Sequence, residues 1–94
     1  MKRLLMVAYR FKEGLGEQDL RALTKKFMEV GTNPGVLAHY SRLDGQGGFL
    51  VEDATEDPAI AYEVTITYSP WLEFEVFPIT TMEDAFPVVQ RVFG

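Results

Sequence analysis

The chain has 94 residues but no cysteine, a single histidine, a single tryptophan and no apolar run long enough to cross a membrane. Without cysteine it can have neither a disulfide framework nor a thiolate that binds metal or attacks a substrate. Its nine Lys and Arg residues are scattered among fourteen acids, so the clustered positive charge that binds phosphate is missing. The apolar start ends at Tyr9 and Arg10 without a cleavage site. We therefore expect a cytoplasmic protein that binds neither nucleic acid nor a membrane.

Apolar and aromatic residues are plentiful. Hydrophobic residues make up 47% of the chain and aromatic residues 13%, which is enough for a packed core. At this length we expect one domain, residues 1–94, in which residues 1–79 form the core and residues 80–94 a C-terminal tail.

The first predicted strand, Arg3 to Phe11, is apolar on both faces. The odd positions from Leu5 to Phe11 form one face, and Leu4, Met6 and Ala8 form the other. A strand with water on one side should alternate between apolar and polar residues, so this one requires cover on both sides.

Three further segments have clear patterns. Residues Glu17 to Val30 carry one apolar stripe at helical spacing, followed by Gly31 in the position of a C-terminal cap. Two extended runs, Val36 to Leu43 and Gly48 to Asp53, are joined by "DGQGG", which predicts an antiparallel hairpin. Residues 72–79 alternate as a strand, and Pro78 indicates that this strand lies at a sheet edge.

The segment Ala59 to Tyr68 is ambiguous. Taken alone it alternates like a half-buried strand of β-branched and aromatic residues. However, Asp57 and Pro58 stand in the order of a helix N-cap and first helical position, and the segment stops before Pro70. Burial of one stripe can outweigh the weak helix propensity of β-branched residues, so we predict a helix.

The resulting order, βαββαβ, predicts an α+β fold of the ferredoxin-like type. In that fold the antiparallel sheet has the order 4-1-3-2, with both helices on one face. A short or kinked helix should follow in the tail, since Thr81 and Asp84 resemble a capping box and Pro87 interrupts the pattern.

Two helices can cover only one face of such a sheet, and the other face would remain an apolar patch. The same face of a second copy could cover it, which predicts a homodimer whose two sheets form one barrel. The alternative is that the tail folds across this face, with four apolar side chains as a plug: Phe86, Val88, Val89 and Phe93.

Several short motifs carry a family resemblance: "RFKEG" after the first strand, the "DPA" helix start, and "PWLEFEVFPITTMEDA". With these motifs the chain resembles small bacterial domains of unknown function in the dimeric α+β barrel superfamily. The resemblance implies the fold and the dimer but no reaction. Better-known members of that superfamily are cofactor-independent monooxygenases, haem-degrading enzymes, isomerases of lactone metabolism and ligand-sensing domains.

His39 is the one side chain whose usual pKa lies near neutrality, so it is the candidate catalytic base. Tyr9, Tyr40, Tyr68 and Trp71 are candidates to line a ligand pocket. Each has a simpler interpretation: the histidine lacks an orienting partner in the sequence, and aromatic residues usually pack in the core.

Other polar residues received structural interpretations. Asn33 lies in the "TNPG" turn, where turn formation accounts for it. Since His39 is on a strand, the histidine, asparagine and tryptophan set of the haem-degrading relatives is not favoured. Of the strand acids Glu52, Glu73 and Glu75, the last two look like an edge-protecting pair. We expect no metal and no cofactor.

The sequence thus predicts an uncharacterised homodimeric α+β barrel protein that binds a small apolar or aromatic molecule in a cleft between helices and sheet. If it is an enzyme, cofactor-independent monooxygenation or isomerisation is expected, with His39 as base. The alternative is a non-catalytic interaction or ligand-sensing module.

Overall fold

The computed structural model of the chain describes residues 1–54 and 57–94. The elements follow in the order β1 (Leu4–Phe11), α1 (Glu17–Val30), β2 (Val36–Ser41), β3 (Gly47–Asp53), α2 (Pro58–Tyr68), β4 (Leu72–Ile79) and α3 (Met82–Phe93). The four strands form one antiparallel sheet in the order β2-β3-β1-β4. This arrangement confirms the ferredoxin-like order predicted from the sequence.

The doubly apolar strand β1 lies in the middle of the sheet, between β3 and β4. Val7 is opposite Leu50 on one side and Val76 on the other. β4 is an edge strand, as predicted from Pro78, because a strand with one unpaired side tolerates a residue that cannot donate a backbone hydrogen bond. β2 ends at Ser41, two residues earlier than predicted, and the hairpin turn begins there.

The ambiguous segment is a helix, and its start has the predicted chemistry. The Asp57 side chain accepts a hydrogen bond from the Ala59 N–H at 2.9 Å, and Pro58 occupies the first turn. Two β-branched residues in α2 donate their hydroxyls to the carbonyls one turn earlier, Thr65 to Ala61 and Thr67 to Glu63. The local strand-like alternation is therefore overridden by the cap and by packing.

The tail forms a helix of 12 residues, α3, which continues past Pro87. The Thr81 hydroxyl accepts from the Asp84 N–H at 3.2 Å, so one half of the predicted capping box is present. The Asp84 carboxylate instead accepts from the Lys2 N–H at 2.6 Å and fastens the start of α3 to the N-terminal segment. An interior proline lowers the stability of a helix by about 3 kcal/mol. The hydrogen bonds of the first turn of α3 offset part of that loss.

The two faces of the sheet differ in their cover. The inner face, which points to α1 and α2, carries the buried side chains Val7, Leu50 and Leu72. The outer face carries Ala8, Phe49, Val51 and Phe77, and both phenylalanines are 41% exposed. α3 does not cover the outer face with its own apolar residues, since Phe86, Val89 and Phe93 remain exposed.

The folded chain is more extended than its length requires. Its radius of gyration is 15.9 Å, whereas a compact chain of this length should have about 12 Å. Its accessible surface is 6997 Å², and a folded monomer of this mass should expose about 5,500 Å². The excess of about 1,500 Å² is consistent with the unburied apolar side chains of the outer face and α3.

Candidate functional site

A cavity of about 250 Å³ lies between the inner face of the sheet and the helices α1 and α2. We call it the helix–sheet cleft. All four strands and both helices contribute to its walls, which are mostly apolar or aromatic. They include Phe11, Phe27, Val64, Tyr68, Leu72 and Phe74. No lysine or arginine lines it among the described residues.

Tyr9 and His39 meet at the wall of the helix–sheet cleft. The Tyr9 Oη lies 2.7 Å from the His39 Nε2, which is hydrogen-bond distance, and the two rings meet edge to face with centroids 5.7 Å apart. Phe27 of α1 meets the same imidazole edge to face, with a centroid distance of 6.2 Å. The histidine therefore has the orienting partner that the sequence alone did not reveal.

Gly48 makes the contact between Tyr9 and His39 possible. Tyr9 is on β1 and His39 on β2, so the phenol must cross β3, where Tyr9 pairs with Gly48. A Cβ at Gly48 would lie 2.5 Å from the Tyr9 Oη and would overlap the Tyr40 carbonyl oxygen. Any side chain at this position would displace the tyrosine ring or the backbone of β2.

The Tyr9–His39 pair is uncharged at neutral pH. Burial raises the pKa of the Tyr9 phenol above its usual value, which keeps it protonated. Burial also lowers the pKa of the His39 imidazole, which keeps it neutral. The cleft wall thus presents a neutral imidazole, the form that can accept a proton or a hydrogen bond.

Glu52 is the carboxyl-bearing side chain of the described cleft wall, on β3 two residues beyond Leu50. It is 8% exposed, and burial raises the pKa of its carboxyl group. Its neighbours across the ladders are the apolar Leu5 and Val36. Among the described residues, none donates a hydrogen bond to the Glu52 carboxyl group.

The other polar side chains of the cleft wall are largely engaged within the protein. The Asn33 Oδ1 accepts from the Gly35 N–H at 2.9 Å, which confirms its place in the turn. The Thr24 and Thr65 hydroxyls donate to the carbonyls of their own helices at 2.9 and 3.0 Å. The Tyr68 hydroxyl donates to the Gly31 carbonyl at 2.6 Å and joins the end of α2 to that of α1.

Three of the five sequence-selected residues line the helix–sheet cleft: Tyr9, His39 and Tyr68. Tyr40 does not, because it follows His39 directly on β2, so its side chain points to the outer face, where it is 64% exposed. Trp71 lies in the turn before β4 and is absent from the described cleft wall. Its backbone N–H donates to the Tyr68 carbonyl, and its own carbonyl accepts from the Lys12 N–H.

Sequence reasoning did not select Glu52, Phe27 or Phe74 for the site. The alternation of side chains along β3 could have indicated Glu52, because Glu52 lies on the same face of the strand as the buried Leu50. An acid on the apolar face of a central strand is unusual, because ionised carboxylates are costly to bury. The two phenylalanines are indistinguishable from core residues in the sequence.

The described residues bring no three histidine or acidic side chains together in a way that could hold a metal ion. None of the helices in the described part of the chain is long and apolar enough to cross a membrane.

Comparison with known proteins gives one family. The family model described as domain of unknown function DUF3303 matches residues 3–93. No curated protein matches the chain.

Proposed function

Since the chain belongs to the DUF3303 family, whose function is unknown, we propose from the geometry of the site that it binds a small apolar or aromatic molecule in the helix–sheet cleft. One observation carries the proposal: an aromatic-walled cavity of about 250 Å³ in which the Tyr9–His39 pair supplies a polar contact. Ligand sites are commonly apolar clefts with a few placed polar groups, and their volumes begin at about 300 Å³. A cavity of this size suits a single-ring compound.

The test is native mass spectrometry of the protein purified from cells, which reports a retained molecule directly. The variant Val64→Trp fills the helix–sheet cleft from α2, and Ile66→Trp places the same side chain on an exposed position of the same helix. We expect a retained small molecule in the wild type and in Ile66→Trp, but not in Val64→Trp. Equal retention in all three proteins would contradict the proposal.

His39 is the proposed base if the bound molecule reacts. In the tautomer whose Nε2–H donates to the Tyr9 oxygen, the Nδ1 lone pair of the neutral imidazole can take a proton from an acidic C–H group and return it to another carbon of the same molecule. Such a proton shift is an isomerisation, and it balances without any other reagent. Of the reactions implied by the superfamily resemblance, isomerisation is the one that this pair fits best.

His39→Ala and Tyr9→Phe test this role once a bound molecule is identified. We expect His39→Ala to lose turnover while retaining binding, because the imidazole moves the proton and the aromatic walls hold the ligand. Tyr9→Phe should keep part of the turnover, because it removes only the orienting hydroxyl. Unchanged turnover in His39→Ala would exclude the histidine from the reaction.

We also propose that two copies associate through the outer face of the sheet, in the cytoplasm. The support is the excess surface of about 1,500 Å², which exceeds the roughly 800 Å² that each partner buries in a stable interface. The apolar stripe of α3, formed by Met82, Phe86, Val89 and Phe93, is exposed as well. A second copy is the occupant that accounts for both surfaces with one symmetric contact.

Sedimentation of Phe49→Glu tests the dimer. Phe49 is in the middle of the outer face, and a carboxylate there would be buried without a partner in the dimer. We expect dissociation to become about thirtyfold easier or more, whereas Ile66→Glu, an exposed apolar residue of α2, should leave the dimer intact. A wild-type chain that sediments as a monomer at micromolar concentration would end this proposal.

The proposed contact between two copies also supports a second candidate function, in which the protein is a non-catalytic interaction or sensing module. It is favoured by the exposed apolar surface of the outer face and α3, which no described part of the chain covers. It would stand alone if the wild type dimerises but retains no small molecule.

A further inference from the structure

Glu52 is a mostly buried residue whose carboxyl group makes no hydrogen bond to the described residues. The residue is 8% exposed, lies on the inner face of the sheet and forms part of the wall of the helix–sheet cleft. Asp57 and Asp84, by comparison, both accept backbone hydrogen bonds from helix starts or the N-terminal segment. No described residue donates to Glu52 in this way. No side-chain oxygen of the described residues is both buried and without a partner, so the unbonded Glu52 oxygens reach the solvent of the helix–sheet cleft, where a ligand can bind them.

The walls around Glu52 indicate the charge of that partner. Among the described residues, no lysine or arginine lines the helix–sheet cleft, and the His39 imidazole there is neutral at pH 7. An anionic ligand would therefore face a carboxyl group without any compensating cation. A cationic ligand would pair with the carboxylate and meet aromatic faces, which attract cations through their negative electron clouds.

The aromatic residues stand around the same space. Phe27 and Tyr68 pack with centroids 6.3 Å apart, and Tyr9 and Phe74 pack with centroids 6.5 Å apart. His39 is opposite Leu50 on β3, so Glu52 is its diagonal neighbour on the same face, at a distance of about 7 Å. A single small molecule can thus reach the carboxyl group, the imidazole and the aromatic walls together.

We propose that Glu52 is the specificity-determining residue of the helix–sheet cleft and that it selects an amine: an ammonium group attached to an apolar or aromatic body. The inference rests on the proposed ligand-binding function and names the chemical class of its ligand. Glu52 binds the ammonium group, the aromatic walls hold the apolar body, and the Tyr9–His39 pair faces the same molecule from β1 and β2.

The test compares three probes with the same phenyl group and chain length: 2-phenylethylamine, 2-phenylethanol and phenylacetate. Their binding to the full chain is measured by titration calorimetry and by NMR chemical-shift changes at His39, the single histidine. We expect the amine to bind about tenfold tighter than the alcohol or more, because hydrogen bonds to charged groups are about twice as strong as neutral ones. The acid should bind weakest of the three.

Glu52→Gln removes the charge and keeps the shape. In this variant the amine should lose its advantage and bind within about twofold of the alcohol, because the charge-assisted bond is gone. Glu63→Gln is the matched control, since it removes the same charge from an exposed position on α2 that does not line the cleft. It should bind the three probes like the wild type.

The outcomes separate this inference from the function on which it rests. If the alcohol binds as tightly as the amine, or if Glu52→Gln keeps the preference for the amine, the assignment to Glu52 is wrong while the helix–sheet cleft remains a ligand site. If none of the three probes binds and the cleft-filling Val64→Trp variant loses no retained molecule, both proposals fail.

Discussion

The inner and outer faces of the same sheet contrast in what covers them. On β3, Leu50 and Glu52 of the inner face are buried, while Phe49, which lies between Gly48 and Leu50 in the chain, is 41% exposed on the outer face. Both faces are apolar in sequence, but only the inner one has helices against it. Whether an apolar side chain is buried therefore depends on what packs against its face of the sheet. The inner face is covered by α1 and α2, yet it also lines an unfilled cavity and carries an acid without a hydrogen-bond partner among the described residues.

The largest expected effect comes from adding a side chain where the inner face has none. Gly48→Val should destabilise the fold by about 3 kcal/mol or more, because its Cβ would overlap the Tyr9 ring and the Tyr40 carbonyl. Urea unfolding measures the loss. Gly16→Ala is the control, since its Cβ would make only an ordinary contact at 3.8 Å. Equal losses in the two variants would show that the crossing of Tyr9 over β3 is unimportant.

Truncation of one residue on each face sharpens the comparison. Leu50→Ala should cost about 3 kcal/mol at any protein concentration, because the residue is buried within the single chain. Phe77→Ala removes an outer-face side chain that the single chain leaves 41% exposed. If two copies associate through this face, as proposed, its cost should be small in dilute protein and should grow with protein concentration, because association would bury that ring. A concentration-independent cost for Phe77→Ala would mean that the outer face is not an interface.

The unpartnered acid of the inner face should make stability depend on pH. Burial raises the pKa of Glu52, so its contribution is fully present below the usual carboxyl pKa and is lost as pH rises through the raised pKa. Glu52→Gln should therefore match the wild type near pH 4 and be more stable near pH 8, by about 1 kcal/mol. Thermal unfolding across this range checks it. Parallel curves for the two proteins would argue that the carboxyl group is solvated.

The smallest expected effect is on His39, at the rim of the inner face. Burial lowers its pKa, so the stability it contributes is present above the usual imidazole pKa and is lost as pH falls through the lowered one. An NMR titration follows it directly, since the chain has one histidine. Phe27→Ala should raise the pKa of His39 towards its usual value, because it removes the ring that packs edge to face against the imidazole and helps to bury it. Exposed Met28→Ala, the next residue of α1, should not.

Much of the fold follows from local patterns. The bounds of α1 and β4 agree with the predicted ones. The apolar spacing and the Gly31 cap indicate the limits of α1, and the alternation of residues 72–79 indicates those of β4. The segment Pro58–Tyr68 was harder, since its side chains alternate like a strand. There the Asp57 cap and the proline that follows the helix were more informative than the propensities of the residues between them.

The candidate site was less predictable. The sequence singled out His39 and Tyr9 separately, and only the structure joins them, through a phenol that crosses the bare backbone of Gly48. Tyr40 was an equally good candidate in the sequence and lies on the opposite face. Glu52 went unselected because an acid near the end of a strand usually faces water.

The sequence by itself determined the order and type of the elements, the central place of the doubly apolar β1 and the edge position of the strand that carries Pro78. These features depend on spacings of two to four residues and on caps, which are local in the chain. Only the tertiary structure decided which residues share the helix–sheet cleft and which apolar face stays open. Those facts depend on contacts between residues far apart in the chain, such as Tyr9 and His39, and no local spacing encodes them.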